Sequence, residues 1–269
     1  MFNIRIKQFY DTEQIQIFSK GYRSQGEYER KNFDEFTGEI YEPLIGEVVD
    51  NPFTGKRERL RTTTDAERSA MVSCSRAKKE VYDIARSNNW EWFFTFTFNP
   101  AIVDSFDYNC CVDRLSKWLN NIRRICPDMV YIVVPEKHKS GRFHFHGLFS
   151  DVWELDFVDS GHKKSGKRVY NCGNYKYGFT TATWVSDSNK SASYLVKYIT
   201  KDLCSVAKGR KRYWVSRNAK RPIVRELMIE SPEDERLKMY MENYSYIKKI
   251  ESPFGNCTYI DRPLEKPRP

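Results

Sequence analysis

Hydrophobic positions recur along the chain with two different periods, and the change of period marks the elements. Trp90 to Phe98 reads WEWFFTFTF. On a strand, Phe94, Phe96 and Phe98 point one way and Phe93, Thr95 and Thr97 the other, and Asn99-Pro100 ends the run. Val112, Leu115, Trp118, Leu119, Ile122 and Ile125 then follow a helical period, stopped before Pro127. Val130 to Val134 predicts a second strand and Arg142 to Phe149 a third. Upstream, Thr64 and Glu67 have capping-box spacing. Ala70, Cys74, Ala77, Val81 and Ile84 give the following helix one apolar face, and Arg68, Arg76, Lys79 and Arg86 are assigned to solvent. Downstream, Asp151 to Lys167 reads as a charged loop, and Val169-Tyr170 and Gly178 to Trp184 add strands. Asp187 or Ser188 caps a helix expected to run to about Leu203, and a short helix is expected near Glu233 to Met241.

This order predicts an α+β fold with a central antiparallel sheet of about five strands and helices on one face. The expected boundaries are an N-terminal extension over 1–60, partly irregular, with a strand at Glu13 to Phe18, a main domain over 61–225, and a C-terminal extension over 226–269. The Pro-rich end, IDRPLEKPRP, is expected to be disordered.

Candidate chemistry concentrates in SGRFHFHGLF, Ser140 to Phe149. Alternation puts His144 and His146 on one strand face and Phe145 on the other. Two imidazoles so spaced can reach one cation. If the apolar runs on either side of KHKSG form a hairpin, Glu136 returns beside His144. That supplies a carboxylate as third donor, with His138 as its rival. A lone His-x-His is a weak signal by itself, because it also suits a solvent-facing hairpin edge.

Of 269 residues, 40% are hydrophobic and 30% charged, enough apolar content for a sizeable core. No apolar run approaches a membrane span or the core of a signal peptide, so no membrane association is expected. The seven cysteines contain no CxxC pair, which argues against a disulfide framework or zinc ribbon and suits a reducing, cytoplasmic setting. The net charge of +9 suits a polyanionic partner. Lys201 to Arg221 alone carries a net +7 with Tyr213 and Trp214 interleaved. Arg210, Lys211, Arg212, Arg217 and Trp214 are therefore candidates to bind or stack on DNA, core packing being the alternative for Trp214. Arg142 and Lys197 are candidates for phosphate contact.

On the helix after Ser188, Tyr194, Lys197, Tyr198 and Lys201 form one stripe, while Leu195 and Ile199 fall on another side and can pack on the sheet. Such a stripe is usually an exposed face, but it also fits a phenol nucleophile with a lysine to neutralise phosphate. With an ordinary pKa near 10, only about one phenol in a thousand is ionised at pH 7. A cation held by His144, His146 and Glu136 would lower that barrier.

FFTFTFNP, VPEKHKSGRFHFHGLF and YLVKYITK, in that order, resemble the HUH rolling-circle replication initiators over roughly residues 64 to 222. The likeness is to the stand-alone type of small phages, plasmids and related mobile elements. It implies a ferredoxin/RRM-like sheet, His144, His146 and Glu136 as ligands of Mn²⁺ or Mg²⁺, Tyr198 as nucleophile, Lys201 as its lysine and Tyr194 as a second tyrosine. It also implies nicking and joining of single-stranded or hairpin DNA at an origin through a 5′-phosphotyrosine, in a bacterial host that supplies the polymerase. A helicase must come from the host too, since no GxxxxGK[ST] occurs. The tyrosine follows the histidines here, whereas in conjugative relaxases it precedes them. A transposase with the same chemistry and a non-catalytic DNA-binding repressor are the rival readings.

Overall fold

The computed structural model describes residues 2–22, 48–50, 57–59, 63–199, 210–231, 233–251 and 255–264. In chain order the elements are β1 (Phe2–Gln8), β2 (Thr12–Tyr22), β3 (Val48–Asp50), β4 (Arg57–Arg59), α1 (Thr63–Arg86), β5 (Trp92–Phe98), α2 (Tyr108–Ile125), β6 (Val130–Lys137), β7 (Phe143–Ser150), β8 (Phe157–Lys164), β9 (Lys167–Cys172), β10 (Gly178–Trp184), α3 (Ser188–Val196), β11 (Trp214–Val215), β12 (Ile223–Leu227), α4 (Glu235–Tyr240), β13 (Tyr246–Ile250) and β14 (Cys257–Pro263). The chain divides into two units, Ala70–Pro222 and a second made of Met1–Ser69 with Ile223–Pro269. The class is α+β with antiparallel sheets.

The first unit is built on a seven-stranded sheet, β11-β6-β7-β5-β10-β9-β8, two strands wider than expected. The additional width comes from the 151–167 segment, which is not a loop: Phe157–Lys164 pairs with β9. Its side chains are almost all solvent-facing and its register shifts between Asp159 and Lys163, so it carries no apolar alternation for a sequence reading to find.

Helices cover both faces of this sheet, not one. On the first face, Phe94, Phe96, Phe145 and Phe149 pack with Leu115, Trp118, Leu119 and Ile122 of α2. On the second, Ile132, Val134 and Leu148 pack with Val81 and Ile84 of α1 and Leu195 of α3. Alternating parity along β5, β6 and β7 divides the two cores. It also puts Thr95, Thr97, Glu136, His144 and His146 on the second face, the one α3 crosses. Asp107 caps α2 through the Asn109 and Cys110 N–H groups, and Asp187 caps α3 by accepting from Lys190 N. Arg86, expected in solvent, is buried; its Nε donates to Asn189 Oδ1 at 3.2 Å and its Nη1 to Tyr82 Oη at 3.0 Å, tying α1 to the start of α3.

Gly178 sits where β10 begins against the end of β5. A Cβ there would fall on the Thr97 carbonyl oxygen and stand 2.7 Å from Asn99 N, both backbone atoms. Gly178→Ala is therefore expected to cost about 1–3 kcal/mol, the usual range for overpacking, and to displace Thr97. A urea melt unchanged from wild type would contradict this.

The second unit is a five-stranded antiparallel sheet, β12-β1-β2-β14-β13, that joins the two ends of the chain. Ile4, Ile6, Ile15 and Ile260 share its core with Tyr240 of α4. The Pro-rich end is a strand as far as Pro263, which pairs with Thr12. Proline is tolerated there because the ladder ends at that residue. Residues 265–269, and the rest of the expected disorder, lie outside the described residues. Among the described residues, no helix is long and apolar enough to cross a membrane, and the six cysteines form no disulfide.

Candidate active site

The site is built on the β6–β7 hairpin. Its turn is closed by Gly141 N–H donating to the His138 carbonyl at 2.8 Å, and by His138 N–H donating to that of Arg142 at 2.8 Å. Gly141 takes φ +86, a left-handed conformation that glycine adopts without a Cβ penalty. The resulting register sets Glu136 directly opposite His144. On the other side of β7, β5 pairs Thr95 with His146 and Thr97 with His144.

The imidazoles are held from both ends. Nδ1 of His146 lies 3.1 Å from Thr95 Oγ1, and Nδ1 of His144 lies 3.2 Å from Thr97 Oγ1. Nε2 of His146 lies 2.7 Å from Glu136 Oε2. Burial pushes both histidines below their ordinary value; the other imidazole adds to the fall at His144, while Glu136 partly offsets it at His146. The hydrogen bond from His146 holds the Glu136 carboxyl below its own ordinary value. The Glu136–His146 contact is thus a hydrogen bond from a neutral ring to a carboxylate.

Tyr198 lies against this cluster, its ring stacked on that of His146 with centroids 3.6 Å apart and planes 10° off parallel. It does not sit within the helix, because α3 ends at Val196 rather than near Leu203. The Tyr198 and Ile199 N–H groups donate to the Leu195 and Val196 carbonyls, both at 3.2 Å. Those i→i+3 bonds tighten the last turn, and buried Ile199 anchors it. Tyr194, 42% exposed, meets Tyr198 edge-on at 5.3 Å, and Lys197 Nζ lies 5.7 Å from the Tyr194 ring centroid. Burial first, then the bond with Tyr194 and the charge of Glu136, push the Tyr198 phenol above its ordinary value. Phenolate is disfavoured in this arrangement.

The donor chemistry suits a hard divalent cation, since two neutral imidazoles and an ionised carboxylate face one region. Among the described residues, however, no three His, Cys, Asp or Glu side chains stand as a metal-binding group. Glu136 and His146 are closed directly on each other, so they must part to share an ion. His138 lies on the exposed turn, its Nδ1 2.9 Å from Ser140 Oγ and its ring 5.6 Å from that of His144.

Other candidates lie apart from this cluster. Arg210, Lys211 and Arg212 line a cleft of about 570 Å³ with Arg76 and Tyr213. Arg217 is exposed. Trp214 is a core residue, 8% exposed and edge-on to Phe145 at 5.5 Å, so its ring faces are not open for stacking. Arg142 stacks over the Phe106 ring at 5.4 Å. Lys201 lies outside the described residues. Sequence reasoning gave Thr95 and Thr97 no role. A T-x-T run spaced like the H-x-H run is the signal that could have found them.

Residues 91–203 match the family model of the ORF2-type replication-associated proteins. No curated protein and no solved structure matches the chain. The matched span contains β5, the whole β6–β7 hairpin and Tyr198, and it supports a replication-initiator family and a role in the initiation of DNA replication.

Proposed function

We propose that the chain is an HUH-type rolling-circle initiator that nicks and joins single-stranded DNA through Tyr198, on a ferredoxin/RRM-like sheet. The observation that carries this reading is the stacking of Tyr198 on His146 beside Glu136. A phenol and a chelating donor set thereby share one sheet face. In the nicking step the Tyr198 oxygen bonds to phosphorus and the phosphorus–3′-oxygen bond breaks. The phenol proton ends on the 3′ oxygen, leaving a 5′-phosphotyrosine and a free 3′-OH; joining is the reverse displacement. His144, His146 and Glu136 would hold Mn²⁺ or Mg²⁺, which when bound neutralises phosphate oxygens and makes phosphorus more electrophilic. The raised affinity of Tyr198 for its proton gives the site a need for that positive charge. The exposed Tyr194 is placed to serve as the second nucleophile, and Lys197 to meet a phosphate. Arg210, Lys211, Arg212 and Arg217 supply salt-sensitive contacts to the DNA backbone, and a host helicase and polymerase complete replication.

The test is a gel assay of the full chain with a labelled, randomised single-stranded DNA pool and Mn²⁺. A covalent, slower-migrating band is expected. Chelation should remove it, excess Mn²⁺ should restore it, and His146→Ala should reduce it on the order of 100-fold or more. No band with any divalent cation would overturn the reading.

A further inference from the structure

A carboxylate oxygen can only accept, so the 2.7 Å contact requires His146 Nε2 to donate to Glu136 Oε2. In a ring with one proton, Nδ1 is then the acceptor, and Thr95 Oγ1 at 3.1 Å is the donor. A cation at Nε2 would need that nitrogen's lone pair, and the ring proton would then belong on Nδ1. A hydroxyl both donates and accepts, so Thr95 can serve either arrangement without moving the ring. An amide, a carbonyl or a carboxylate at this position could not do so unchanged. This matters because His146 is 5% exposed and water has little access to replace a lost bond. The same pairing recurs one step along the strands, Thr97 with His144 at 3.2 Å. Both contacts follow from the register, in which each threonine faces its histidine directly across β5 and β7.

We propose that Thr95 and Thr97 are positioning residues for the metal ion, holding the two imidazoles by their Nδ1 atoms in both the ion-free and ion-bound states. The proposal rests on the metal reading above and goes beyond it by assigning work to a strand that supplies no ligand. Partners of this kind that orient ligating histidines change metal affinity by about 10- to 100-fold when removed.

The experiment is titration of the full chain with Mn²⁺, followed by the electron paramagnetic resonance of the free ion, with no DNA present. Thr95→Val keeps the branched shape suited to a strand and removes the hydroxyl. It is expected to weaken Mn²⁺ binding about 10- to 100-fold, while Thr95→Ser binds within about threefold of wild type because the hydroxyl is kept. Equal affinity in wild type and Thr95→Val would overturn the proposal and leave the metal reading standing. No Mn²⁺ binding by wild type would overturn both. Nitrogen-15 imidazole spectra of the unmutated chain supply a readout free of any folding defect. Adding Mg²⁺ is expected to move the His146 proton from Nε2 to Nδ1, and a proton remaining on Nε2 at saturating Mg²⁺ would count against the proposal.

Discussion

Tyr198→Phe is expected to abolish covalent attachment to single-stranded DNA, lowering the nicking rate on the order of 10³-fold or more, with binding of the same DNA unchanged. The substitution removes one oxygen and keeps the ring. The stacking on His146 at 3.6 Å depends on the ring alone, so the local structure should persist. Filter binding and adduct yield, measured on the same preparation, separate the two effects. A Tyr198→Phe variant with normal adduct yield would transfer the role to another side chain, Tyr194 first.

Phe145→Ala carries the largest expected effect on stability. Phe145 is fully buried between the two imidazole positions but on the opposite face of β7, edge-on to Phe98 at 5.8 Å and to Trp214 at 5.5 Å. Removing a buried ring costs about 3–5 kcal/mol through lost burial and the cavity left behind. Against a typical total of roughly 5–15 kcal/mol, that is a large fraction. Urea denaturation is the measurement, and Phe145→Leu should lose less because it leaves a smaller void. A loss below about 1 kcal/mol for Phe145→Ala would mean that the aromatic layer is not tightly packed. The effect bears on the site as well, since packing on one face of β7 fixes the direction of His144 and His146 on the other.

The hairpin and its donors were legible in the sequence because they are local. VYIVVPEK and FHFHGLF flank a turn with a glycine at the required position, and period-two alternation decides the facing. The parity of Phe94, Phe96 and Phe98 against Thr95 and Thr97 was legible for the same reason. The contacts from Thr95 and Thr97 to the imidazoles were not, because they depend on β5 pairing with β7 across an intervening helix and strand. The sheet that joins β1 and β2 to β12, β13 and β14 unites segments more than 200 residues apart, and no local pattern announces it. β8 was missed because exposure on both sides erases alternation. Arg86 was misplaced because a guanidinium reads as solvent-facing until a partner such as Asn189 Oδ1 is known. The end of α3 at Val196 was hidden by a helical apolar spacing that continues through Ile199, a residue that packs from a tighter turn instead.

The most direct measurement of the shared site is the chemical identity of the attachment. The full chain would be incubated with a randomised single-stranded DNA pool and Mn²⁺, digested with nuclease and protease, and its peptides sequenced by tandem mass spectrometry. The expected result is a nucleotide 5′-phosphate on the Tyr198 oxygen, appearing only with the cation present. A phosphate carried by any residue outside Tyr198 and Tyr194, or attachment that persists after His144 and His146 are both replaced, would contradict the account.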